Sequence, residues 1–221
     1  STAITEITIP DGVSEMGDGV FSSCAKLTTI DWPSVVTRIP ERFFEHCDSL
    51  TKIEIPNGIT TIGSKAFWAC KYLSQVILPT GLTDIGFASF EYCTSLKEIL
   101  LPESMTFLGN SAFSKCKALR SITLPEGVTV IGEFAFDGCT SLTEVTIKGK
   151  ITYIERCAFS GTQVKEITLP ISLERIDYEA FGESLERIIY EGTREQFAEI
   201  KISNDNNALL SAEILYLGLE N

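Results

Sequence analysis

Apolar and polar positions recur along this chain with a fixed step. From Leu119 to Ser141 it reads LRSITLPEGVTVIGEFAFDGCTS, and Leu142 begins the same line again. Taking the first residue of each unit as offset 0, the units start at Ile4, Leu27, Leu50, Leu73, Leu96, Leu119, Leu142, Val164 and Leu185; the step is 23 residues, then 22 and 21 at the end. Offset +3 is Ile or Val in every unit and +5 is apolar, while +2 and +4 are mostly polar. That period of two predicts a short strand with one buried face. A Pro at +6 in seven units, as at Pro125, ends the strand because it has no N–H for a ladder. Apolar residues at +9 and +12, here Val128 and Ile131, turn back toward the core, and Gly132 at +13 fits a tight turn or a close backbone approach. The stretch around Ala135 and Phe136 then returns along the far side as a short helical turn or an irregular segment.

Two columns mark the far side. Offset +17 is Phe in eight consecutive units: Phe21, Phe44, Phe67, Phe90, Phe113, Phe136, Phe159 and Phe181. Offset +20 is Cys in six: Cys24, Cys47, Cys70, Cys93, Cys116 and Cys139. A single unit cannot bury its apolar face, but stacked units cover one another and their columns fuse into one core. Nine rungs at the ~4.8 Å spacing of strands predict a body ~40 Å long, with the Phe column as its strongest element.

The opening L-x-x-I-x-L matches the first half of the leucine-rich repeat consensus, and the continuation P-x-x-V-x-x-I-G-x-x-A-F-x-x-C resembles the BspA-like class of these repeats over residues 4 to about 190. The tail YEGTREQFAEIKISNDNNALLSAEILY also resembles the segment that often follows the last such repeat. The resemblance implies a leucine-rich-repeat solenoid, with a parallel β-sheet on one face and short helical or irregular segments on the other. The usual handedness of parallel connections makes it a right-handed coil. It also implies a secreted or cell-surface bacterial module for binding or adhesion, whose partner is an extracellular protein, of host matrix or a neighbouring cell, or a glycan.

Within that frame residues 1–190 read as the solenoid and 191–221 as a C-terminal cap. Thr193 and Gln196 form a capping-box pattern that opens a short helix with Phe197 and Ile200 inward, and Ala212 to Leu217 is expected to add a strand. Ser1–Ala3 are too few to cap the first rung, so either that rung caps itself or the chain is a fragment of a longer surface protein; the second is expected.

Composition narrows the function classes. With 44% apolar and 22% charged residues the chain reads as ordered and globular. A formal charge of −12 argues against nucleic acid or an anionic membrane surface as the main partner, without identifying a cationic one. No apolar run approaches the ~20 residues of a membrane span. No membrane insertion is expected, and a monomer is.

The regular cysteines admit three readings. Metal ligands would need converging close spacings, which the 23-residue step does not supply, and the lone His46 has no evident co-ligands. Disulfides between rungs would need Cβ atoms closer than in-register side chains at ~4.8 Å bring them. The expected reading is a ladder of small buried hydrophobes. Cys157 stands apart at +15 and is the one thiol expected to be exposed. No catalytic motif or cofactor loop occurs, and His46 sits at an ordinary variable offset, so no enzyme, cofactor or metal is expected.

Function then falls to the letters that vary. On the open sheet face, offsets +2 and +4 place the apolar pair Ile77 and Leu100 beside Gln75 and Glu98, with Thr123 and Glu144 further along. These six residues are the first candidate binding surface. The alternative is the +11 column, Phe107, Val130 and Tyr153, with Trp68 and Tyr92 adding aromatics on the opposite side. Beside a binding module stand two rivals, a passive spacer displaying other domains of a longer chain and a substrate-binding module attached to an enzyme.

Overall fold

The computed structural model describes residues 4–218. Ser1–Ala3, expected to be too few to cap the first rung, and the last three residues of the expected cap lie outside the described residues. The chain winds into a parallel β-solenoid whose rungs follow the 23-residue step, so Glu6 pairs with Thr29, Lys52 with Gln75 and Ser121 with Glu144.

Each rung has three hydrogen-bonded stations. The first is the front ladder at +2 to +4, where Glu6–Thr8 pairs with Thr29–Asp31, Lys52–Glu54 with Gln75–Ile77, and Ser121–Leu124 with Glu144–Ile147. Glu166–Leu169, Arg187–Tyr190 and Glu213–Tyr216 complete it as a three-stranded sheet. The second ladder lies at +11 and +12, in two four-stranded runs that begin at Arg38–Ile39 and Val130–Ile131 and end at Phe107–Leu108 and Lys201–Ile202. Its inward residue is the apolar +12, with Ile39, Ile62, Ile85, Ile131 and Ile154 all buried.

The third station settles what the far side is. It is irregular rather than helical: a run of tandem turns in which Trp68 N–H donates to Lys65 O, Cys70 N–H to Phe67 O and Leu73 N–H to Cys70 O. Offset +15 adopts left-handed φ in the first eight units and +19 in the first seven, whatever residue stands there, as at Lys65 (57°), Ala69 (56°), Ala88 (53°) and Tyr92 (62°). Such backbone costs of order 1 kcal/mol or more at a non-glycine residue and persists only where its surroundings over-determine it. Here three inter-rung bonds do so: in the third rung Lys65, Phe67 and Ala69 N–H donate to Phe87, Ser89 and Glu91 O of the next.

Between the stations lies one continuous core. The Phe rings stack nearly parallel, Phe67 on Phe90 at 5.0 Å and 3° and Phe90 on Phe113 at 5.4 Å and 5°. The +13 glycines serve a close approach: a Cβ on Gly109 would stand 2.5 Å from the carbonyl carbon of Gly86 in the rung before.

The C-terminal end departs from the period. Helix α1 (Arg194–Ala198) opens with the capping box, Thr193 Oγ1 accepting from Gln196 N and Gln196 Oε1 from Thr193 N, and buries Phe197. A second helix absent from the sequence reading, α2 (Asn207–Ser211), precedes the final strand Glu213–Tyr216. Asn206 pins this region. Its side chain is buried, accepts from Ala180 N at 3.0 Å, and donates to Asp177 O at 2.8 Å and Ser203 O at 2.9 Å. Asn206→Ala leaves the buried Ala180 N–H and two half-buried carbonyls unpaired and is expected to lower stability by about 1–3 kcal/mol, measured by urea unfolding. A loss under half a kcal/mol would mean that water replaces the amide. Among the described residues no helix is long and apolar enough to cross a membrane.

Candidate functional site

Alternation on the front ladder turns +3 inward and +2 and +4 outward, so all six residues of the first candidate surface are exposed. Leu100 is the extreme case at 85% exposed, against 39% for Ile77. The front ladder lapses at this fifth rung, where Glu98–Leu101 belongs to neither neighbouring strand pair. Glu98, Leu100 and Thr123 line a shallow depression of about 340 Å³ together with Glu103, Ser121, Thr146 and Lys148. Lys148 reaches back across two rungs to Glu103 at 2.6 Å, a contact 45 residues apart that no column reading reveals. Gln75 and Ile77 lie on the preceding strand, and Glu144 stands opposite Ser121 in the next; none of the three lines the depression.

The alternative residues divide between two faces. Phe107, Val130 and Tyr153 sit at one register on the second ladder, Val130 directly opposite Tyr153. Trp68 and Tyr92 sit on the tandem turns, ring centroids 5.9 Å apart, with His46 edge-on to Trp68 at 4.8 Å. The indole is fixed by its Nε1–H, which donates to Glu91 Oε2 at 3.0 Å, and Lys65 Nζ lies over the Trp68 and Phe87 rings. His46 and Phe87 were missed in the sequence because +19 and +14 hold no constant residue type.

The cysteine ladder is wholly internal. Cys47, Cys70, Cys93, Cys116 and Cys139 each donate a thiol hydrogen to the Phe carbonyl of the preceding rung at 3.0–3.2 Å. Burial pushes the thiols of Cys47 and Cys139 up to about 12, and raises those of Cys70, Cys93 and Cys116 well above the usual thiol range. A thiol held protonated is neither nucleophile nor metal ligand. Cys157, expected to be exposed, is buried at 5% relative exposure. Left-handed backbone (φ 53°) and the Cys157 N–H bond to Tyr178 O hold it in the turn station, where its thiol points to Glu179 Oε2 at 3.6 Å. Among the described residues no group of three or more His, Cys, Asp or Glu is placed to hold a metal ion.

Residues 1–86 and 60–188 match the BspA type leucine rich repeat region, in six copies. Among solved structures the chain is similar to a leucine-rich repeat protein from Bacteroides ovatus, with a TM-score of 0.81 and 30% identity over 97% of this chain and 56% of that one. It is also similar to the T. pallidum leucine-rich repeat protein, with a TM-score of 0.65 and 29% identity over 71% of this chain and 76% of that one. A leucine-rich repeat protein from Eubacterium ventriosum shares the fold, with a TM-score of 0.70 at 22% identity over 99% of this chain and 60% of that one. The chain thus spans little more than half the length of the B. ovatus protein. No curated protein matches its sequence.

Proposed function

Because the chain belongs to the BspA-type leucine-rich repeat family, a family of binding or structural repeat modules, we propose that it is a non-catalytic recognition module, secreted or displayed at the cell surface, that holds an extracellular protein or glycan against its front face. One observation carries this reading: Leu100, the most exposed large apolar side chain among the described residues, lines a depression at the point where the front ladder lapses. An apolar anchor in a polar surround is the anatomy of a recognition patch. Glu98, Glu103 and Lys148 supply the rim.

The test is saturable binding of the purified chain to a panel of matrix proteins and glycans, with the Ile77→Asp/Leu100→Asp variant alongside. Truncating a central anchor costs more than 1 kcal/mol and up to several. The variant is therefore expected to lose about tenfold or more in affinity with its circular dichroism unchanged. Equal binding by both proteins would move function off the front face. No binding by either at tens of micromolar would favour the passive spacer.

A further inference from the structure

We infer a second binding site, for an uncharged oligosaccharide, in the cleft where the C-terminal cap leaves the solenoid. The cleft has a volume of about 460 Å³ and lies between the second ladder and α1, within the range of small-ligand sites. It exists because the period breaks there: the chain leaves its regular path at Tyr190, forms α1, and rejoins the second ladder only at Lys201, opposite Arg175.

Its lining has two chemical sides. Leu173, Tyr190 and Ile200 are buried beneath it, while Tyr153 and Ile171 stand at its edge, 40% and 57% exposed. The Tyr153 ring is oriented by its hydroxyl, which donates to Glu174 Oε2 at 3.2 Å. The polar side carries Glu174, Glu199, Arg175 and Lys201, two charges of each sign. On a chain of net charge −12 this local balance favours neither a cation nor an anion. An apolar floor with an ordered aromatic ring, facing a rim of donors and acceptors without net charge, matches a pyranose: one C–H face to stack and a girdle of hydroxyls to bond.

The second ladder extends the site. From Tyr153 the same outward column runs back through Val130 to Phe107, which is 53% exposed, and each is preceded by a threonine: Thr152, Thr129 and Thr106. No charged residue interrupts these three pairs. The strand spacing of about 4.8 Å is close to the repeat of an extended pyranose chain, so successive sugars would meet successive rungs. The ladder side chains and the cleft therefore form one strip of neutral, stacking character, on a different face from Leu100.

The experiment titrates the full chain with cellohexaose, chitohexaose, laminarihexaose and mannohexaose, and with hexagalacturonate as the charged counterpart, by isothermal calorimetry. At least one neutral hexamer is expected to bind with a Kd of about 1 mM or tighter. Tyr153→Ala, a change at a half-exposed position, should weaken it about tenfold or more. Phe107→Ala should weaken the hexamer but not the corresponding disaccharide. Tyr72→Ala, at an aromatic residue 60% exposed and outside both the cleft and the depression under Leu100, should leave glycan binding unchanged. No neutral hexamer binding below 10 mM, tighter binding of hexagalacturonate, or equal binding by folded Tyr153→Ala would each overturn the assignment.

Discussion

Phe113→Ala is expected to lower the stability of the chain by about 3–5 kcal/mol, the cost of removing a fully buried Phe. Phe113 lies at the middle of the column, wholly buried, with Phe90 stacked on one side at 5.4 Å and Phe136 on the other at 5.7 Å. Each stacked pair adds about 0.5–1.5 kcal/mol beyond the area it buries. The void cannot close easily, because Phe113 N–H is tied to Ala135 O and Phe90 N–H to Ala112 O, which hold the rungs apart at their normal spacing. In a solenoid each rung touches only its neighbours, so a weak central interface also uncouples the two halves. Urea unfolding should therefore show an earlier midpoint and a shallower or split transition. Phe181→Ala, at the cap end and 6% exposed, should cost less. A loss below 1 kcal/mol at Phe113 would mean that the column is not a principal source of stability.

The Phe column was legible because it obeys one rule in the sequence and one in space: equal spacing along the chain becomes vertical stacking. The same holds for Ile53 and Val76 on the front ladder and for Val128 and Ile131 behind it. The tandem turns were not legible for the complementary reason. Left-handed backbone at +15 falls on Gly19, Arg42, Lys65, Ala88, Ser111, Phe134, Cys157 and Glu179, so no residue type announces it. It is imposed by hydrogen bonds to the next rung rather than by local preference, and Cys157 sits in such a turn, buried where exposure was expected.

The candidate sites divide along the same line. Columns can be read from spacing, so Leu100 beside Thr123 and Val130 beside Tyr153 were visible. Which columns share a face cannot be read that way: Trp68 and Tyr92 joined His46, Phe87 and Glu91, while Tyr153 joined Ile171, Glu199 and Lys201. The cleft under α1 was invisible because it is made where the period stops. Lys148 and Glu103 were missed since their contact spans 45 residues, not one step.

The cysteine ladder makes the chain sensitive to alkali, and here the expected effect is larger still. In the unfolded chain thiols ionise near pH 8.5, whereas burial holds Cys47 and Cys139 protonated up to about 12 and raises Cys70, Cys93 and Cys116 well above the usual thiol range. Below pH 8.5 the thiols are neutral in both states and their contribution is fully present. Between there and about pH 12 only the unfolded chain gives up protons, so stability falls by about 1.4 kcal/mol per pH unit for each ionising thiol. Five thiols together approach ~7 kcal/mol per unit, comparable with the whole margin of a typical domain. The chain is expected to unfold cooperatively between about pH 9.5 and 11, with the ladder unreactive toward a thiol reagent at pH 8 until urea is added. Tyrosine and lysine ionisation contribute a background slope, which Cys93→Ala isolates: the variant keeps that background and loses one thiol's share of the pH dependence. Equal slopes in the two proteins would show that the ladder does not set the alkaline limit. A slope reduced by about one proton in Cys93→Ala would show that the repeated letter which packs the core also fixes the highest pH at which the core survives.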